Sequence, residues 1–254
     1  MGTEVAEQKV GGEFAEEALD HVPRQPFSVA GVLIPIISGT QACKYEAAEY
    51  FVAWQGVLTI VYTGIPSSIV KFKRELEHNL KGVRTENPGS MWPKTTIGCL
   101  QDDKTLTLEQ LKTLRNICSE ESPALATTES ITVDNLSIAI YENRRLEKII
   151  TEVTVPLTLP VNKSKPLESE KAYVRSVLTE FADSNLDTYH QMTSLPGHRS
   201  AHYLQPVVEA TVVHHLQKVP ASLNRFRDRV DAELPGMYEW FADSSLHITI
   251  RALT

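Results

Sequence analysis

Two segments of this chain align without a gap at a constant offset of 154 residues: "IPSSIVKFKRELEHNL" (65–80) and "VPASLNRFRDRVDAEL" (219–234). Pro66 meets Pro220, Ile69 meets Leu223, Phe72 meets Phe226, Leu76 meets Val230 and Leu80 meets Leu234. These apolar positions recur three and four residues apart, which is the stripe of an amphipathic helix. A helix repeated together with its flanking proline points to a repeated unit, and that restricts the chain to architectures made of two similar halves. With one single-residue gap the match continues: Lys94-Thr95-Thr96 falls on His247-Ile248-Thr249, and Gly98 falls on Arg251.

The segments around the two helices read as strands. "GVLTIVYTG" (56–64) is β-branched, aromatic and bounded by glycines, and "MWPKTTIGCL" (91–100) is a second strand candidate. Thr107 with Gln110 forms a capping-box signature ahead of Leu108, Leu111, Leu114 and Cys118, so a helix is expected there. Residues 136–157 read as two strands around a polar turn at Glu142–Arg144, and residues 161–169 as a polar connector. A helix carrying Tyr173, Val174, Val177, Leu178 and Phe181 follows. Then come a loop over 193–202, a strand near Val207–Val213, the second repeat helix and a terminal strand. The run Val29 to Ile37 reads as a buried strand, being too short for the roughly 20 residues of a membrane span. The expected fold is α+β: two pseudo-symmetric lobes of antiparallel sheet plus helices around a central cleft. Residues 1–26 form an acidic leader, and 27–254 a single bilobal domain with lobes of about 27–160 and 161–254.

Composition narrows the partners. Lys and Arg number 25 against 32 Asp and Glu, and a net charge of -7 leaves no overall footprint for long nucleic acid. Cys43, Cys99 and Cys118 are odd in number and lack Cys-x-x-Cys spacing, which fits reduced thiols in a cytoplasmic location. The polar, acidic start implies neither export nor a membrane partner.

Alternation along a strand puts His247, Thr249 and Arg251 on one face and Leu246, Ile248 and Ile250 on the other. Lys94, Thr96 and Gly98 share a face in the same way. If the halves oppose each other, an imidazole, two hydroxyls, an ammonium and a guanidinium line one groove. The His-x-Thr-x-Arg strand in the second half of a duplicated α/β chain resembles the two-histidine phosphoesterases, which include cyclic nucleotide phosphodiesterases and the 2',5' RNA ligases. Thr96, His247 and Thr249 match that pattern, and Lys94 stands where the first histidine belongs.

The resemblance implies metal-independent, cofactor-free hydrolysis or transfer at a small phosphate ester or cyclic phosphodiester. His247 would be the acid or base, Thr96, Thr249 and Arg251 the phosphate-binding groups, and Lys94 an electrostatic clamp. An ordinary lysine stays charged, so Lys94 acts as an acid only where burial or nearby cations lower its pKa. The alternatives are a non-catalytic phosphate or nucleotide binder, taking a small anionic ligand or a short oligonucleotide end, and a cleft turned to Lys/His acid–base chemistry on another small molecule. The loop bearing His198, Arg199 and Tyr203 reads first as polar surface, with an edge of the cleft as the alternative. His198 and His202 stand four apart without a Glu or Cys to complete a metal site. Tyr62, Trp92 and Trp240 are assigned to the core.

Overall fold

The structure, a computed structural model, describes residues 29–80, 82–83, 85–86, 91–128, 130–161 and 165–254. The leader expected over 1–26 lies outside the described residues. Seven helices and nine strands are present among the described residues: α1 (Val29–Gly39), β1 (Cys43–Val52), β2 (Leu58–Tyr62), α2 (Ser67–Asn79), β3 (Lys94–Leu100), α3 (Leu108–Thr128), β4 (Ser130–Val133), β5 (Asn135–Tyr141), β6 (Ile149–Pro156), α4 (Glu168–Glu180), α5 (Leu186–Thr193), α6 (Ser200–Leu204), β7 (Glu209–His215), α7 (Ser222–Glu233), β8 (Tyr238–Trp240) and β9 (His247–Ala252). They form two antiparallel sheets, ordered β4-β1-β2-β3-β8 and β6-β5-β7-β9. The class is α+β. Among the described residues no helix is long and apolar enough to cross a membrane.

The repeat helices fold as their stripes require. α2 buries Ile69, Phe72 and Leu76; α7 buries the equivalent Leu223, Phe226 and Val230. At the head of α3 the Thr107 amide donates to Gln110 Oε1 (2.9 Å) and the Gln110 amide to Thr107 Oγ1 (3.2 Å), so the capping box forms as expected. Phe226 also stacks on Tyr50 of β1, with ring centroids 4.0 Å apart, which ties the second repeat helix to the first sheet.

Two expectations are corrected. Val29–Ile37 is helical, with Leu33 and Ile37 buried four residues apart. An unalternating apolar run has no periodicity to decide its type, and Pro35 could not donate to a sheet ladder. The passage between sheets also falls earlier than residue 161: β4 ends in the first sheet at Val133 and β5 begins the second at Asn135. β8 then returns to the first sheet.

Strand register carries a further correction. In the β2–β3 pair Leu58 faces Gly98 but Thr59 faces Thr96, leaving Ile97 as an extra residue. In the β7–β9 pair Val212 faces Arg251 but Val213 faces Thr249, leaving Ile250 extra. Leu58 and Val212 differ by the same 154 positions as the two helices, so both units carry a bulge at the same place. A bulge reverses the alternation beyond it. Ile250 and Arg251 both turn to the buried side, whereas Thr249 and Ala252 are exposed. Arg251 therefore does not share a face with His247 and Thr249.

At the matching position in β3 sits Gly98, where a Cβ would meet Trp240 Cε3 at 2.8 Å and the Glu239 carbonyl at 3.1 Å. Gly98→Ala is expected to displace Trp240 and part β3 from β8, at a cost of about 1–3 kcal/mol. Chemical denaturation read against Trp fluorescence checks this, and an unchanged midpoint would show that the ring moves freely.

The segment between β6 and β7 positions the site. Helices α4, α5 and α6 fold back over one face of the first sheet, where the Tyr189 hydroxyl donates to the Val52 carbonyl (2.8 Å). Phe51 meets Phe181, Tyr189 and Trp92 edge-on at 5.5, 6.2 and 5.6 Å. This is the face to which Thr59, Lys94 and Thr96 point, with Phe51 opposite Thr59 in the ladder.

Candidate functional site

The helical segment leaves a cavity of about 570 Å³ above that face. Lys94, Thr96 and Thr59 supply its polar floor, while Phe51, Trp92 and Tyr189 form an aromatic wall. Tyr173, Ser176 and Glu180 of α4 close one side; Gln55, His198 and Tyr203 close another.

The Lys94 ammonium lies 4.0 Å from the centre of the Trp92 ring, a cation–π contact. Burial pushes its pKa down from the ordinary 10.5 to about 8; Glu86 opposes the shift and Lys73 adds to it. Glu86 is itself paired with Lys73 at 2.7 Å. Lys94 therefore titrates close to neutral pH, as the sequence reading required of any acid at this position.

His198 is held in the left-handed backbone region (φ 48), directly after Gly197 (φ 107). Gln55, whose side-chain amide donates to the Pro196 carbonyl of the same loop (3.1 Å), is left-handed as well (φ 62). Two non-glycine residues in that region at one site mark a loop geometry fixed by its surroundings. Arg199 does the fixing: it donates to the carbonyls of Lys104 (3.0 Å), Gln55 (2.6 Å) and Gly197 (2.8 Å). The His198 ring stacks on His202 with centroids 4.4 Å apart, and its Nδ1 lies 3.4 Å from the Tyr203 hydroxyl. Burial, reinforced by His202, Arg144, Lys94 and Arg199, pushes its pKa down to about 4, so the imidazole is neutral at physiological pH. Among the described residues no group of three or more His, Cys, Asp or Glu could hold a metal ion.

A buried polar network anchors α6 beneath this loop. Arg145, whose side chain is 4% exposed, donates to Glu239 Oε1 (2.7 Å) and lies 3.9 Å from Cys99 Sγ. The Ser200 hydroxyl donates to the other Glu239 oxygen.

Of the five residues singled out from sequence, the cavity gathers Lys94 and Thr96; His247, Thr249 and Arg251 are not among its lining residues. His247 sits at the start of β9, its Nδ1–H donating to the Ser245 carbonyl (2.7 Å), with the His215 ring 6.2 Å away. Burial lowers its pKa to about 4, against the Ser245 hydrogen bond and with a small contribution from His215. Thr249 is exposed on the same face. Arg251 is 2% exposed, with Nη1 donating to the Ala252 carbonyl (3.1 Å) and Nη2 3.7 Å from Glu77 of α2. Sequence does not single out Thr59, Gln55, Tyr189 or Glu180, it gives Tyr173 only as part of a helix's apolar side, and Trp92 is a wall of the site as well as a core residue. The loop of His198 and Tyr203 does border the cavity.

No protein-family model, curated protein or solved structure matches the chain.

Proposed function

We propose that the cavity binds a small amphipathic molecule through an anionic group, a phosphate foremost. The anion is received by the Lys94 ammonium and the Thr96 hydroxyl, and the apolar body lies against Trp92, Phe51 and Tyr189. The observation that carries this reading is a half-buried lysine, the one cationic side chain among the described lining residues, sharing the floor of an aromatic-walled cavity with the Thr96 hydroxyl. We read the two strand–helix–strand units as copies in the manner of the two-histidine phosphoesterases, supported by the bulges at equivalent positions. The anion-binding part of that resemblance keeps Lys94 and Thr96. The hydrolytic part asks for His247, which belongs to the other sheet and does not line the cavity. Acid–base chemistry is the second reading, favoured by Lys94 and His198 lining the same cavity, the one mostly protonated and the other unprotonated at neutral pH.

Calorimetric titration with adenosine 2',3'-cyclic monophosphate, with adenosine as the uncharged control, tests the binding reading. The ammonium is the binding form and its pKa is about 8 in the free protein. Affinity is expected to be level below pH 7 and to fall about tenfold per pH unit above the pKa. Lys94→Met is expected to lose at least about tenfold at pH 7, the worth of one charge-assisted contact. Equal affinity in Lys94→Met, or equal affinity for adenosine, would overturn the proposal.

A further inference from the structure

We propose that Lys94 is also a carbonyl-condensing amine, forming an imine with a small aldehyde or ketone held in the cavity. This rests on the cavity being a small-molecule site but not on the molecule being an anion. An amine attacks carbonyl carbon only when unprotonated, and a lysine acquires that form near neutrality in one of two ways: removal from water in an apolar pocket, or proximity to another cation. The first operates here: Phe51, Tyr189 and Trp92 wall the space around Nζ and take it out of water. Glu86 and the Trp92 ring favour the ammonium, Lys73, paired with Glu86 at 2.7 Å, acts the other way and more weakly than Glu86, and burial outweighs them all. His198 is held neutral, and Glu180 accepts the Trp54 indole N–H (3.1 Å).

The step balances without an oxidant or reductant. The Nζ lone pair forms the N–C bond as the carbonyl π pair moves to oxygen, which takes a proton. The carbinolamine then expels that oxygen as water, with a second proton, and the nitrogen is left doubly bonded to carbon. One amine and one carbonyl give one imine and one water. The neutral imidazole of His198, which closes one side of the same cavity, can accept the proton released by nitrogen and return it to the leaving oxygen.

Benzaldehyde, whose ring suits the aromatic wall, serves as probe, and cyanoborohydride supplies the hydride that reduces the imine to a stable benzylamine. Near pH 7.4 an amine of pKa about 8 has a roughly two-hundredfold larger unprotonated fraction than an exposed lysine, partly offset by lower intrinsic nucleophilicity. Peptide mapping of the folded chain is expected to find Lys94 benzylated on the order of tenfold faster than the surface lysines, an advantage that disappears in urea. In Lys94→Arg the adduct on that peptide is lost while the other lysines react as before. Labelling of Lys94 no faster than surface lysines in the folded chain would overturn the inference. Nucleotide titration of the same preparation separates the two proposals. Selective labelling without nucleotide binding keeps the imine and ends the anion reading; nucleotide binding with unselective labelling does the reverse.

Discussion

Glu239→Leu is expected to destabilise the protein by about 3–5 kcal/mol, whereas Arg145→Met at the other end of the same ion pair costs about 1–2 kcal/mol. The asymmetry follows from burial. The Arg145 side chain is 4% exposed and Glu239 is 38% exposed. Removing Arg145 leaves a carboxylate that water can reach and that Ser200 still supports. Removing Glu239 takes away the carboxylate bonded to the guanidinium and leaves it against the Cys99 thiol and the Phe241 ring, 4.9 Å away, with Glu147 as a weaker countercharge. Burial pushes the Cys99 pKa up to about 11, with the Ser200 hydrogen bond and then Arg145 pulling the other way, so sulfur stays protonated and gives no countercharge. At about 2–4 °C per kcal/mol for a chain of this size, Glu239→Leu is expected to lower Tm by roughly 10 °C. The Arg145→Met/Glu239→Leu double variant is expected to recover most of that loss, since no charge is then left buried. Thermal melts of the three variants check it. A double variant as unstable as Glu239→Leu would show that the loss comes from packing.

The site is only partly legible in sequence because much of what makes it is not local. Helix stripes and the capping box are local: Ile69, Phe72 and Leu76, or Thr107 and Gln110, interact within one or two turns, so spacing alone reveals them. The face of Arg251 is not local. One extra residue opposite Val212 reverses it, and nothing in "HITIR" distinguishes a bulged strand from a regular one. β1 is legible in its first half, where Cys43, Tyr45 and Ala47 alternate with Lys44 and Glu46, and the alternation is lost at Ala48 and Glu49, where the register with β2 shifts. The cavity itself is made by chain far away in sequence. α4 and α5 come from a segment between β6 and β7 that has no counterpart between β1 and β2, where nine residues after β1 the chain is already at Val61 in β2. Hence the two halves, similar in register, differ in what covers them: Thr96 lines the cavity beneath the helices, while its equivalent Thr249 faces water. A sequence repeat predicts equivalent strands and cannot predict unequal coverage.

Lys94→Met is expected to stabilise the folded chain while removing its affinity for anions. The folded pKa is depressed, to about 8 against an ordinary 10.5, so between those values the unfolded chain binds more protons than the native one. Stability therefore rises with pH through this window, and below pH 8 the wild type carries the whole cost of holding a proton on a desolvated amine. The interval corresponds to about 3 kcal/mol at most. Methionine has a similar length, keeps contact with Trp92 and carries no charge. The gain in the variant is expected to be largest near pH 6 and to shrink towards zero by pH 10.5. His198, whose pKa Lys94 helps to depress, titrates well below this window, so between pH 6 and 10.5 the difference between the melts follows the titration of Lys94. A constant difference across pH would mean that Lys94 titrates as an exposed lysine, and the cation at the cavity floor would then be an ordinary surface charge. A difference that fades as the pH rises would show a residue that weakens the fold where it stands, and such a cost at the floor of a cavity is the signature of a group retained for the ligand it meets.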